Sequence, residues 1–184
     1  MGDIISNPET YFTQAVPEQY AAALAGAPAN VADQPELSAV YEITGAGGGT
    51  YALRVTGAQI EALPSDQLAN PDMRVVMSYD DWRSFAESDA TDVLVDYMSR
   101  RKVAVVQGLK GTVRLELTRS DGSIWQSATI FGGQEEPAVT LRMTNEDYHA
   151  MLSGELNGQM AFMTGKLKFE GSLPLLMQVG ALSS

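Results

Sequence analysis

The sequence predicts an α+β fold in which a mixed, largely antiparallel sheet is covered by helices on one side. Three observations predict it. Apolar and polar residues alternate in runs joined by turn formers, as in β-hairpins. Strand-like runs lead directly into helices opened by a Ser or Thr cap. The same order of elements then occurs twice along the chain, which indicates a partial internal duplication.

Residues 1–34 are rich in Ala, Pro and Asn and read as an arm with a short helix from Pro17 to Leu24, since proline is tolerated in a first helical turn. Residues 35–90 form the first, partial repeat. Val40 to Thr44 and Tyr51 to Val55 alternate around Gly45-Ala-Gly-Gly-Gly49, a hairpin whose turn glycines supply positive φ. A polar connection with Pro64 and Pro71 leads to a strand at Met73 to Met77, and Ser78 is placed to cap a helix that buries Trp82 and Phe85.

Residues 91–184 form the second repeat. Val93, Leu94, Tyr97 and Met98 predict one long helix over 90–106, with the basic triplet Arg100, Arg101 and Lys102 as a solvated helix end. Val113 to Leu117 and Ile124 to Ile130 flank the turn Ser120-Asp-Gly122. Val139 to Met143 is the next strand, and Thr144 caps the following helix with Asp147 in its first turn. Tyr41-Glu-Ile-Thr44 answers Leu115-Glu-Leu-Thr118, and Pro71 through Trp82 answers Pro137 through Tyr148. Short strand and helix patterns also recur by chance, so this correspondence is a structural expectation. The two repeats are expected to form one cooperative unit.

Composition narrows the function. With 45% hydrophobic and 19% charged residues and no cysteine, the 184-residue chain can bury a core without disulfides. Its net charge of −11 repels a phosphate backbone, which argues against nucleic acid. No apolar run approaches the roughly 20 residues that cross a bilayer, and no secretory signal pattern opens the chain, so a cytoplasmic protein without an integral membrane segment is expected.

After the capped helix of the second repeat come Ala161-Phe162, then Gly165-Lys-Leu-Lys168, then Gly171 and an apolar C-terminal segment. In this order, from Gly108 to Leu182, the chain resembles the sterol carrier protein 2-like family. The first half lacks a counterpart of Gly165-Lys-Leu-Lys168, so the number of cavities, one or two, stays open. The resemblance implies an apolar ligand tunnel, and lined up with its elements the candidate wall is Trp125, Met160, Phe162, Met163, Leu167, Phe169, Leu173, Leu176 and Met177. Methionine suits such a wall because it is unbranched and adapts to irregular guests. Taken singly, each of these residues reads more readily as core.

Chemistry-bearing motifs are sparse. His149 is the single histidine and no nucleophile elbow surrounds a serine. Asp80-Asp81 reads as a helix cap and Glu135-Glu136 as a solvated loop, and Gly45 to Gly49 lacks the Lys-Ser or Lys-Thr of a phosphate loop. No metal site and no cofactor are expected. Two function classes follow. One is binding or transfer of a fatty acyl chain, acyl thioester or sterol-like lipid, affinity coming from apolar burial. The other is a lyase or isomerase of a lipophilic substrate using Tyr148, His149, Asp147 or Lys166. The first is preferred, with a partner enzyme or a second copy of the chain as further partners.

Overall fold

The computed structural model describes residues 7–183. Eight strands form one sheet in the order β3-β2-β1-β4-β6-β5-β7-β8. They are β1 (Leu37–Thr44), β2 (Gly49–Thr56), β3 (Gln59–Leu63), β4 (Met73–Ser78), β5 (Gly111–Thr118), β6 (Ile124–Phe131), β7 (Ala138–Thr144) and β8 (Lys168–Gly171). Both hairpins fall where alternation places them. The sheet is mixed, because β4 runs parallel to β1 and β7 parallel to β5, while the other neighbours are antiparallel.

The duplication is visible in the register. Ala39 lies opposite Met73 and Thr44 opposite Ser78 in the first repeat; Val113 lies opposite Val139 and Thr118 opposite Thr144 in the second. Each parallel strand then enters a helix through the same reciprocal cap. Ser78 Oγ accepts from Asp81 N at 3.1 Å and donates to the Asp81 carboxylate at 2.9 Å, and Thr144 with Asp147 repeats both distances. These caps open α3 (Tyr79–Ala86) and α6 (Asn145–Leu152). β4 and β6 pair antiparallel and join the repeats into one sheet.

Three expectations are corrected. The N-terminal segment is not an arm beyond its first six residues, which lie outside the described residues. A continuous helical run comprises α1 (Pro8–Thr10), a π-helical turn at Tyr11–Ala15 and α2 (Val16–Ala25), and it buries Tyr11, Phe12, Val16 and Tyr20. Pro17 therefore does not start the helix. The wider π turn, with Val16 N donating to Tyr11 O, accommodates a residue that has no N–H and would clash in a regular turn.

The connection after β2 contains a strand, β3, because Gln59 to Leu63 pairs with Ala52 to Thr56 as a polar edge. The predicted long helix over 90–106 is two helices, α4 (Val93–Ser99) and α5 (Val103–Gly108). Arg101 at φ 59° ends α4, with Arg101 N bonded to Met98 O and Lys102 N to Tyr97 O. This is the left-handed cap usually assigned to Gly or Asn. Two of the basic triplet are tied down: Arg100 pairs with Asp96 at 3.2 Å, and Lys102 Nζ donates to Ala181 O near the end of the last helix, while Arg101 is exposed.

The large core cluster spans both repeats on one sheet face. It joins the N-terminal helices, β1, β2, β4, α3, α4 and α5 to Phe131, Val139 and the C-terminal helix α8 (Leu173–Ser183). A smaller cluster of Leu117, Met143, Ala161 and Leu167 sits under α6 and α7 (Gly158–Met163).

Candidate functional site

Register shows where the two repeats differ. On the helix-facing side of the first repeat, Tyr41 and Val75 are 2% and 3% exposed. Phe12 seals this place, its ring centroid 4.5 Å from that of Tyr41 and 4.9 Å from that of Tyr51. The equivalent pair in the second repeat is Leu115 opposite Leu141, and both remain half-buried. Ser127 and Phe169 extend the pair into a row of four partly open side chains crossing β6, β5, β7 and β8.

This row is the seam between the two core clusters, since Leu141 packs against both. Tyr97, Phe85 and Leu176 pack against the large cluster, and Trp125, Tyr148 and Met151 against the small one. Along this row the sheet face is incompletely covered by the helices.

The nine predicted wall residues separate into two groups. Leu167 is buried, while Trp125, Phe169 and Leu176 pack partly against the core. Met160, Phe162, Met163, Leu173 and Met177 are exposed, up to 71% for Met163 and 73% for Met177. Phe162 leans on Phe169 with centroids 5.6 Å apart, so α7 joins the exposed apolar surface to the seam. Trp125 also has a structural role, because its indole N–H donates to Asp81 O across the junction of the repeats. On α8 the core-anchored residues are Leu175 and Leu182.

Sequence reasoning missed Leu115, Leu141 and Tyr97 as lining residues. The signal was present in the alternation of β5 and β7, which puts Leu115 and Leu141 on the same face as Leu117 and Met143.

Electrostatics at the site is subdued. Asp147 is held below the usual carboxylate range by hydrogen bonds from Lys166, at 2.6 Å, and Thr144, and Lys166 is raised by the same pair. His149 is exposed on α6. Burial pushes the Tyr148 phenol up to about 12 and raises Tyr97 as well, so both stay protonated donors. Among the described residues no group of three His, Cys, Asp or Glu is arranged to hold a metal ion.

Two open concavities are lined by other residues. One of about 640 Å³ lies between Pro17, Tyr20 and β3, and one of about 300 Å³ between Tyr11, Gln19 and residues 86–91. No helix among the described residues is long and apolar enough to cross a membrane.

The chain is 38% identical over 68 residues to peroxisomal multifunctional enzyme A of Dictyostelium discoideum, covering 37% of this chain and 14% of that one. It is 32% identical over 108 residues to hydroxysteroid dehydrogenase-like protein 2 of Homo sapiens, covering 54% and 25%. The chain thus spans a quarter or less of the length of these curated relatives.

Among solved structures, sterol carrier protein 2 like 2 from Aedes aegypti is similar at 22% identity and a TM-score of 0.34, over 39% of this chain and 72% of that one. Sterol carrier protein 2 from Yarrowia lipolytica is similar at 12% identity and 0.24, over 92% and 77%. The profile of the SCP-2 sterol transfer family matches residues 92–184, which begin at the cap of α4 and include β5 to β8 and α4 to α8. By this match over half its length, the chain belongs to the SCP-2 sterol transfer family.

Proposed function

We propose that this protein binds and transfers a hydrophobic small molecule, of the fatty acyl, acyl thioester or sterol-like class, in the seam of its second repeat. The observation that carries this reading is the contrast at equivalent positions: Tyr41 and Val75 are sealed, whereas Leu115 and Leu141 are only half-buried. Covering such a row removes apolar surface from water at about 25 cal/mol per Å² before ordering costs. The predicted wall residues keep their place in this reading. Leu167, Phe169, Leu176 and Trp125 form the inner surface, and Met160, Phe162, Met163, Leu173 and Met177 form a rim that a guest or a shifted α8 covers.

Of the polar groups considered for catalysis, Asp147 and Lys166 engage each other, Asp147 also engages Thr144, and His149 faces solvent, while Tyr148 packs against the small core cluster. The reading is therefore noncatalytic carriage in the cytoplasm, with delivery to a partner enzyme as its natural extension.

Acyl and sterol probes should raise the melting temperature, because a guest that binds only the folded state stabilises it by mass action. Leu176→Asp should weaken binding at least about tenfold by placing a charge where the guest is desolvated. The exposed rim change Met177→Asp provides a fold-neutral companion. Circular dichroism and probe titration on the same samples check this. Failure of every probe to shift melting, or unchanged affinity in a folded Leu176→Asp protein, contradicts the reading.

A further inference from the structure

Sulfur enters this chain as thioether alone, since it has nine methionines and no cysteine. The fold sorts them sharply by exposure. Met73 and Met98 are fully buried and Met143 nearly so, whereas Met160 is 53%, Met163 71% and Met177 73% exposed. Met160 and Met163 flank Phe162 on α7, and the Phe162 ring lies against that of Phe169. Met177 follows Leu176 on α8, and Leu176 packs against the large cluster. Both helices are held by other residues: α7 by buried Ala161 and its Asn157 cap, α8 by buried Leu175 and Leu182. A polar atom added to the three exposed sulfurs therefore leaves the core intact, while the same atom on Met73 or Met98 would disrupt it.

We propose that Met160, Met163 and Met177 form a reversible oxidation site, at which a hydroperoxide converts the thioethers to sulfoxides and so lowers the affinity of the chain for its apolar guest. The inference rests on the hydrophobic-guest reading above and adds a regulation to it. In the step, a sulfur lone pair attacks one peroxide oxygen, and the S–O bond forms as the O–O bond breaks. With hydrogen peroxide, the proton on the attacked oxygen passes to the other, which leaves as water; each sulfur loses two electrons and the peroxide gains them. A dithiol reverses the step, giving two electrons and two protons as it closes to a disulfide, and the sulfoxide oxygen leaves as water. A thioether adapts to an apolar partner, whereas a sulfoxide must be desolvated before a guest or a shifted α8 covers it.

The test treats the full chain with hydrogen peroxide, locates the sulfoxides by peptide mass spectrometry, and titrates a pyrene-labelled acyl probe and a fluorescent sterol into treated and untreated protein. Met160, Met163 and Met177 are expected to gain oxygen before Met73, Met98 and Met143, with an unchanged circular dichroism spectrum. Probe affinity should fall by about tenfold or more. The two epimer-specific methionine sulfoxide reductases, with dithiothreitol, should restore it. The triple variant Met160→Leu, Met163→Leu and Met177→Leu keeps an apolar rim that peroxide cannot modify, so its affinity, whatever the starting value, should be the same before and after treatment. Oxidation of the buried methionines as early as the exposed ones overturns the proposal. So does unchanged affinity in the folded, oxidised protein, or an equal peroxide-induced loss in the triple variant. If neither probe binds the untreated protein, the carrier reading fails and the switch falls with it, whereas a bound probe that ignores the sulfoxides removes the switch alone.

Discussion

Phe12→Ala is expected to destabilise the protein by about 3–5 kcal/mol, the usual range for truncating a buried aromatic residue. Phe12 is 1% exposed and lies against both Tyr41 and Tyr51, with Tyr11 edge-on at 5.0 Å. Removing its ring leaves a void beside Tyr41 and Tyr51 on the first repeat's sheet. Because the same cluster continues through α4 and Val139 to Leu175, the loss should appear as one cooperative transition moved to lower urea. Equilibrium denaturation followed by both fluorescence and circular dichroism checks it. A cost under about 0.5 kcal/mol, the range of surface substitutions, would return the N-terminal segment to the status of an arm. Two separate transitions would divide the repeats.

The second large effect concerns Asp92, which is 2% exposed. It caps α4 by accepting from Leu94 N, accepts from the Tyr41 hydroxyl at 2.5 Å, and offers its own N–H to Gln19 Oε1 on α2. Burial raises its carboxyl from 3.8 to about 6, with the hydrogen bonds from Tyr41, Leu94 and Val95 opposing that rise. The folded state therefore holds a proton that the unfolded chain has released between those values. Stability from this group is full below about pH 4 and is lost as pH rises to about 6, by about 3 kcal/mol.

Asp121, lowered by its hydrogen bonds from Ser123, and Asp147, lowered by Lys166, act in the opposite sense and at lower pH. Denaturation midpoints measured from pH 4 to pH 7 should fall across this window, and Asp92→Asn should remove that slope. A slope identical in the two proteins, or a carboxyl resonance of Asp92 titrating near 4, contradicts the assignment.

How far the sequence discloses this molecule depends on the element. The hairpins and the capped helices are local, so alternation and the Ser78 and Thr144 caps reveal them without knowledge of packing. The N-terminal helix is hidden because its π turn displaces the apolar residues from regular spacing and because Pro17 imitates a start. The break at Arg101 is hidden because the left-handed cap is held by tertiary contacts in place of glycine's intrinsic freedom.

The site is legible as a region and not residue by residue. α8 is apolar nearly all round, from Leu173 to Leu182, so its pattern does not choose a buried face, and the core selects Leu175 and Leu182. α7 behaves alike, burying Ala161 while Met160, Phe162 and Met163 stay outside. Leu115 and Leu141 escape notice for the reverse reason: as ordinary strand residues they look like core, and only comparison with Tyr41 and Val75 shows that they are incompletely covered.

The central claim is that the second repeat receives a single guest while the first is filled by its own N-terminal helix. Photo-crosslinking with diazirine-bearing fatty alcohol and sterol probes, followed by peptide mapping and intact-mass stoichiometry, tests it most directly. The account predicts one guest per chain, with adducts on β5, β7, β8 and α6 to α8. Adducts concentrated on α1, α2, β1 or β2, or two guests per chain, would contradict it.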